Sequence, residues 1–181
     1  ELKQVVTPET TLCLDVGSHY IWMNRYAPAD HARQVLVSNG QQTLGVALPW
    51  AIVAGILNPQ KPVISVSGDG GFLFTATELE TAVRIGSRFV HLIWNSHSYN
   101  MVEFQEQAHY GRVSGIELGH YDVVKFAESF GCRGYDVESA DSLGGVLEEA
   151  LQQTVPVLIN IPIDYSENIK LMQDIPQEFI H

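Results

Sequence analysis

The sequence has little positive charge and no long apolar run. Lys and Arg number 10 against 21 Asp and Glu in 181 residues, which gives a formal net charge of -11. A chain with this charge repels the phosphates of nucleic acids and of anionic membranes. No apolar run is long enough to span a bilayer. We therefore expect no nucleic-acid partner and no membrane partner, and a bound phosphate would need local donors or a metal ion.

Cysteine is also scarce. Cys13 and Cys132 are far apart in apolar or glycine-containing surroundings, and we expect two buried free thiols rather than a disulfide. This usage is typical of a reducing compartment and predicts a cytoplasmic location. The sequence begins at Glu1 without a Met or a charged and apolar leader, so we expect residues 1–181 to be a single domain from a longer multidomain chain.

Short apolar runs alternate with helical patterns along the chain. The runs predicted as buried parallel strands are Thr11–Val16, Pro62–Val66, Phe89–Trp94 and Val155–Ile161, with Gly134–Val137 as a further short strand. The segments predicted as helices are Leu44–Leu57, Thr75–Gly86, Tyr121–Phe130 and Ala140–Gln152. This order predicts an α/β fold with an open, mostly parallel sheet and helices on both faces.

Three details of these elements lead to further predictions. Leu44–Leu57 is apolar almost all round and is predicted to pack on both sides. Asp141 and Ser142 are candidate caps for the last helix. The tail Ile163–His181 has weak periodicity and several polar residues, and we expect it to wrap the surface or to contact a partner.

The most informative turn is Gly68-Asp69-Gly70-Gly71, which follows a predicted buried strand. Ligands of open α/β sheets bind at the carboxyl ends of the strands. Gly70 and Gly71 would let main-chain N–H groups approach an anion closely. Asp69 would repel a phosphate unless a divalent cation lay between them. The alternative interpretation is an ordinary turn in which Asp69 caps the next helix, since no established mononucleotide or dinucleotide loop motif is present.

A second polar cluster, Asn95-Ser96-His97-Ser98, follows the next predicted strand. If the two strands are neighbours, their ends supply side-chain and carbonyl oxygens to one cation, with waters or phosphate completing about six positions. The remaining histidines show no metal-ligand spacing and are interpreted as structural or surface residues. They are His31, His91, His97, His109, His120 and His181.

The spacing from Gly68-Asp69-Gly70 to Asn95-Ser96 resembles the cofactor motif of thiamine-diphosphate enzymes. The similarity extends to DVGSHYIWMNRY, ARQVLVSNGQQTLGVALPWAI, YNMVEFQE and AESFG. Together these stretches resemble the C-terminal diphosphate-binding domain of the catabolic acetolactate synthases, over essentially the whole chain. The resemblance implies that fold, with thiamine diphosphate and Mg²⁺ as cofactors.

The resemblance also implies the metal ligands, which are Asp69 through its carboxylate, the residue at position 96 and the main-chain oxygen of Ser98. The family usually has Asn or Asp where this chain has Ser96. A Ser hydroxyl is neutral and short, so it ligates directly, acts through a water, or leaves the role to Asn95. We expect a weaker metal site as a result. An ordinary strand-end hydroxyl remains the alternative for Ser96.

Further cofactor contacts follow from the resemblance. The diphosphate is expected near the loop after the first strand, where His19 donates a hydrogen bond or, when protonated, positive charge. Gln42 and Leu44 match positions beside the cofactor rings, and Val102 and Gln105 lie on the substrate side. Gln105 stands where biosynthetic relatives have a large aromatic residue, which favours pyruvate as the only substrate. The complete expected cofactor set is Gly17, Ser18, His19, Gln42, Leu44, Gly68, Asp69, Gly70, Gly71, Ser96, Ser98, Tyr99, Asn100 and Met101.

The activity implied by the resemblance is the joining of two pyruvates, with loss of CO2, to give 2-acetolactate. In that family the Glu that activates the cofactor belongs to an N-terminal pyrimidine-binding domain of a partner subunit, and no Glu of this chain is assigned that role. We therefore expect a homodimer or homotetramer and an isolated domain with little activity. Another thiamine-diphosphate decarboxylase or carboligase, or a non-catalytic phosphate-binding module, remains an alternative.

Overall fold

In the computed structural model, residues 1–168 are described and form one six-stranded parallel sheet. The strands are β1 Thr11–Leu14, β2 Val35–Val37, β3 Val63–Gly68, β4 Val90–Asn95, β5 Arg133–Asp136 and β6 Val157–Pro162. Their order across the sheet is β2-β1-β3-β4-β6-β5, and every neighbouring pair is parallel. The predicted fold class is confirmed.

Helices connect the strands and cover both faces of the sheet. They are α1 Leu2–Val5, α2 Ser18–Tyr26, α3 Ala47–Leu57, α4 Asp69–Thr75, α5 Glu78–Arg84, α6 Asn100–Tyr110, α7 Val123–Ser129 and α8 Leu143–Leu151. Within residues 1–168, no helix combines the length and the apolar character that crossing a bilayer requires.

The core consists of two apolar layers, one on each face of the sheet. Successive strand residues point to opposite faces, so Ile93 of β4 packs in the layer that includes α3, α4 and α5, whereas Leu92 packs in the layer that includes α8. Both side chains are fully buried. A sheet covered on both faces explains why its strands are continuous apolar runs and not alternating ones. The predicted burial of Cys13 and Cys132 as free thiols is also confirmed.

The predicted strands follow one another along the chain as observed, with nearly the observed bounds, but one predicted helix is shorter than expected and one strand was missed. The helix expected over Thr75–Gly86 is preceded by a separate helix, because the chain is already helical from Asp69 onward in α4. The short strand β2 was not predicted. It has only three residues, all half-buried, at one edge of the sheet.

Helix α3 also differs from its prediction. It begins at Ala47, and Leu44 lies in the turn before it. Only one face packs on the sheet, because the helix belongs to an outer layer. Val53, Ile56 and Leu57 remain 51%, 49% and 71% exposed. The prediction of packing on both sides is therefore not met within the part of the chain that the structure describes.

Of the two predicted caps of α8, Ser142 occupies the N-cap position but its side chain makes no capping hydrogen bond to that helix. A short 3-10 turn, Ala140–Ser142, precedes the helix, and Ser139 is its N-terminal cap. Ser139 N donates to Ser142 Oγ at 3.3 Å, so Ser142 takes part in this capping box. Asp141 lies in the first turn and is exposed. Of the tail predicted over Ile163–His181, residues 169–181, including His181, lie outside the described residues.

Candidate active site

A cleft lies at the edge of the sheet where the carboxyl ends of β1, β3 and β4 meet. Strands β3 and β4 pair in register up to Gly68 opposite Trp94, which brings the two polar clusters together as expected. Both the cleft and its place in the sheet match the usual ligand position of parallel α/β folds. The cleft is lined by Val16, Gly17, Ser18, His19, Leu44, Gly68, Asp69, Gly70, Gly71, Trp94, Ser96, Ser98, Tyr99, Asn100, Met101, Val102 and Tyr165.

Asp69 is a buried carboxylate at the first residue of α4. The residue is only 3% exposed. Its Oδ1 accepts a hydrogen bond from Gly70 N at 2.8 Å and its Oδ2 accepts one from Ser96 N at 3.0 Å. Burial raises the pKa of Asp69, and main-chain N–H groups partly oppose that rise. The two strand ends are therefore joined through this carboxylate.

The loop after β4 is held in place by a second loop. Tyr99 N donates to Ile116 O at 2.8 Å, and Leu118 N donates to His97 O at 2.9 Å. His97 has a φ of 57°, a conformation that non-glycine residues adopt infrequently. These main-chain bonds fix the path of the loop, so the Ser98 carbonyl has a defined position before any ligand binds.

The two serines of this loop contact each other and a carboxylate. Ser96 Oγ lies 3.3 Å from Ser98 O and is oriented to donate to it. Ser98 Oγ donates to Glu103 Oε2 at 3.2 Å. Glu103 was not predicted from the sequence, where it is only one polar residue in the pattern of a helix. It brings a second carboxylate close to the loop that carries the expected metal ligands.

The glycines of α4 have a packing role that the sequence did not indicate. A Cβ on Gly70 would lie 2.4 Å from Cε1 of Tyr99, and a Cβ on Gly71 would lie 3.2 Å from Oδ2 of Asp15. Asp15 is itself buried and accepts from Gly45 N at 2.9 Å. Burial raises the pKa of Asp15 to about 6. The absence of side chains thus lets a tyrosine ring and a carboxylate pack against the start of α4.

His19 lies beside the cleft with an unused ring nitrogen. The residue is 2% exposed, and its Nε2 has no hydrogen-bond partner among residues 1–168. Burial lowers the pKa of His19 to about 4, so the imidazole is neutral at pH 7. Gly17 has a φ of 152°, and a Cβ there would lie 2.8 Å from Cε1 of His19. The turn therefore needs glycine to seat this ring.

The cleft brings together all the predicted site residues except Gln42 and Gln105. Gln42 is exposed in the turn before α3, with a φ of 49°. Gln105 is exposed on α6, one turn beyond Val102. Trp94 and Tyr165 line the cleft but were not predicted. Trp94 is the penultimate residue of an apolar strand, and Tyr165 lies in the weakly patterned tail, so neither position carried a clear sequence signal.

The oxygen donors in the cleft fit a hard cation that shares its coordination with a ligand. Asp69 supplies a carboxylate, and the Ser96–Ser98 loop supplies hydroxyl and carbonyl oxygens, the donor types that Mg²⁺ takes alongside water or phosphate. Residues 1–168 contain no group of three or more His, Cys, Asp or Glu side chains suited to a metal ion. The donor set therefore fits a metal that a bound phosphate helps to hold, and the unpaired His19 Nε2 fits an additional polar ligand.

Comparisons with known proteins find similar sequences over most of the chain. The family model described as "Thiamine pyrophosphate enzyme, C-terminal TPP binding domain" matches residues 15–161. The chain is 51% identical over 180 residues to an acetolactate synthase of Bacillus subtilis (strain 168), covering 99% of this chain and 32% of that protein. It is 50% identical over 171 residues to a catabolic acetolactate synthase of Raoultella terrigena, covering 94% of this chain and 31% of that protein.

A solved structure shares the fold. The X-ray structure of a Mycobacterium smegmatis protein described as a thiamin diphosphate-dependent enzyme has a TM-score of 0.78 and 23% sequence identity, covering 89% of this chain and 30% of that one. At that identity the likeness concerns the fold alone. The chain spans about a third of the length of the curated relatives named above.

Proposed function

Because the chain belongs to the family of thiamine pyrophosphate enzyme C-terminal TPP binding domains, we propose that it forms the diphosphate and metal half of the active site of an acetolactate synthase. The resemblance inferred from the sequence is confirmed by the two acetolactate synthases that are about half identical to it. The observation that carries the proposal is the buried Asp69 carboxylate facing the Ser96–Ser98 loop at the carboxyl edge of the sheet.

The metal would be Mg²⁺, held by Asp69, Ser96 and the Ser98 carbonyl oxygen. Ser96 is the weak member of this set, because its hydroxyl is neutral and is oriented toward Ser98 O. Glu103 compensates in part, since its carboxylate adds negative charge next to the loop. We expect the cation to bind mainly together with the diphosphate, whose oxygens complete its coordination.

The diphosphate would lie against the loop after β1 and the N-termini of α4 and α6. Gly17, Ser18 and His19 form one wall, and His19 Nε2 is available for a hydrogen bond to the ligand. A bound anion would raise the pKa of His19 and thereby favour its positively charged form. Tyr99 and Asn100, at the start of α6, continue this wall, because Ser18 Oγ donates to Asn100 Oδ1 at 2.7 Å.

The cofactor rings would extend from this anchor past an apolar part of the cleft. Leu44, Met101 and Val102 line that part, and their side chains would exclude water and keep the cofactor bent. Gln42 and Gln105 lie outside the wall of the cleft. Their expected contacts, with the rings and with the second substrate, are proposed to depend on parts of the assembly beyond this chain.

Thiamine diphosphate, when bound, supplies the electron sink that decarboxylation of a 2-oxo acid requires. The substrate is proposed to be pyruvate, and the products 2-acetolactate and CO2. The role of this chain is to hold the diphosphate and to orient the rings. The activating Glu is proposed to come from an N-terminal pyrimidine-binding domain of a partner subunit, in a cytoplasmic homodimer or homotetramer.

The test is the product formed by the full-length protein that contains this chain. With pyruvate, thiamine diphosphate and Mg²⁺, we expect 2-acetolactate, measured after acid conversion to acetoin. Accumulation of acetaldehyde instead would indicate a 2-oxo acid decarboxylase. Cofactor binding without turnover of pyruvate would favour the non-catalytic phosphate-binding module that the neutral Ser96 also allows.

A further inference from the structure

A chain of four polar side chains connects the segment after β6 to the wall of the cleft. Trp22 Nε1 donates to Asn168 Oδ1 at 2.8 Å. Asn168 Nδ2 donates to Asn100 Oδ1 at 2.7 Å. Ser18 Oγ donates to the same Asn100 oxygen, also at 2.7 Å. These bonds join residues that are 68 to 146 positions apart in the sequence, so they are tertiary contacts and not local turns.

The chemistry of the indole ring fixes the direction of this hydrogen-bond chain. Trp22 Nε1 is a donor only, so the amide oxygen of Asn168 must face it. The amide nitrogen of Asn168 then faces Asn100, which must present its own oxygen in return. A flipped Asn168 amide would place two donors against each other at Trp22 and two acceptors against each other at Asn100. The orientation of Asn100 is thus determined by a ring on α2.

The hydrogen-bond chain begins at a stacked ring, and two of its other members are buried. Trp22 stacks on Tyr26 with ring centroids 5.8 Å apart and an interplanar angle of 21°. Asn168 is 8% exposed and Ser18 is 5% exposed. Hydrogen bonds made by such buried side chains are costly to break because little water can replace the lost partners. The network is therefore suited to hold one amide orientation.

The network fixes the orientation of the Asn100 side-chain amide at the cleft. The Oδ1 atom of Asn100 accepts both donors, which leaves its Nδ2 for other partners. The contact that Nδ2 makes with Glu103 Oε2 is long, at 3.5 Å. Asn100 lines the cleft at the N-terminus of α6, where an anion is also favoured by the helix dipole. An N–H donor in this place suits an anionic oxygen ligand.

We propose that Asn168 is a positioning residue, which acts through Asn100 to present an amide N–H donor to the diphosphate of the cofactor. The inference rests on the proposed function, because the diphosphate is the ligand of that site. It assigns a role to the segment after β6 that the motif around Asp69 does not indicate. Tyr165 in the same segment lies on the cleft wall, so the segment contributes to the site at two positions.

The experiment measures the Kd of thiamine diphosphate for the full-length protein by calorimetry at saturating Mg²⁺. Asn168→Ala should raise the Kd about tenfold, the effect of weakening one hydrogen bond to a charged group. The kcat at saturating cofactor and the KM for pyruvate should not change. Asn100→Ala should raise the Kd at least as much, and the double variant should bind no worse than Asn100→Ala alone.

Two further variants make the result specific. Ser166→Ala changes an exposed residue of the same segment, whose side chain bonds to Asp164, and should leave the Kd unchanged. Trp22→Phe preserves an aromatic ring against Tyr26 and removes only the indole donor, so it should raise the Kd about threefold. This variant still tests the positioning role if Asn168→Ala fails to fold.

The outcomes separate the two proposals. A wild-type protein that fails to bind thiamine diphosphate overturns the proposed function. A wild-type protein that binds, with a Kd unchanged in Asn168→Ala and Trp22→Phe, overturns only the positioning role. Additive losses in the double variant of Asn100 and Asn168 also overturn it, because the two residues would then act independently.

Discussion

Replacing Gly70 with Ala should strain the start of α4. The added Cβ would lie 2.4 Å from Cε1 and 2.7 Å from Cδ1 of Tyr99, whereas unstrained carbon atoms are about 3.5–4.0 Å apart. The overlap of about 1 Å involves two ring atoms, and the Tyr99 main chain is held by its bond to Ile116 O. Overpacking of this size costs about 1–3 kcal/mol. The gain in helix propensity from Gly to Ala, about 1 kcal/mol, offsets part of it.

The net prediction is a loss of about 1 kcal/mol of stability and weaker binding of thiamine diphosphate, because Tyr99 is adjacent to Asn100. The assay is the denaturant midpoint of the full-length protein without cofactor, followed by a cofactor titration. Gly145→Ala is the matched control. A Cβ on Gly145 in α8 would meet no other atom within 4 Å, so this variant should gain about 0.5–1 kcal/mol. An equal gain in Gly70→Ala would refute the packing of Tyr99 on α4.

Two other predictions concern charge. Ser96→Asp should lower the Kd for Mg²⁺ about tenfold in the presence of thiamine diphosphate, since a carboxylate replaces a neutral hydroxyl beside the metal; an unchanged Kd in a magnesium titration would show that Ser96 does not face the cation. Burial lowers the pKa of His91 to about 3 from an unfolded value near 6.5. The unfolded state therefore binds this proton more readily below pH 6.5, and on lowering the pH from 7 to 5 His91 alone should remove about 2 kcal/mol of stability. In denaturation measured across that range, the His91→Gln variant should lose correspondingly less stability than the wild type. The same dependence of unfolding free energy on pH in both proteins would contradict the lowered pKa of His91.

The environment of His91 explains why this residue stays neutral. Its Nδ1 lies 2.7 Å from Ser65 Oγ and its Nε2 lies 2.8 Å from Ser67 Oγ. Both hydroxyls belong to β3 and are fully buried with the imidazole in the apolar core. A neutral ring has one donor and one acceptor nitrogen, and rotatable hydroxyls satisfy both. The sequence-based interpretation of His91 as structural agrees with this arrangement.

The position of the site was predictable because it depends on strand ends. Gly68 and Asn95 each end an apolar run, and in a parallel sheet such ends meet at one edge. The start of α4 was not predictable in the same way. Glycine is a poor helix former, and the two glycines after Asp69 indicated a loop. Tertiary packing of Tyr99 and Asp15 outweighed that local preference.

The contacts of the segment after β6 could not be predicted from sequence patterns. Tyr165 lines the cleft, and Asn168 makes long-range hydrogen bonds to Trp22 of α2 and Asn100 of α6. No periodicity specifies such partners, because a single buried amide leaves no repeating signal. The exposed face of α3 shows a second limit of sequence-based prediction. Its apolar residues predict burial but do not specify whether the same chain covers them.

The most direct test of the account is a calorimetric titration of thiamine diphosphate into the full-length protein, with Mg²⁺ and then with a chelator, for the wild type and for Asp69→Ala. We expect binding that requires Mg²⁺ in the wild type and is lost in Asp69→Ala, because the cation would lose its carboxylate ligand. Affinity that survives the chelator, or Mg²⁺-dependent affinity that survives in a folded Asp69→Ala variant, would contradict the assignment of Asp69 as the metal ligand.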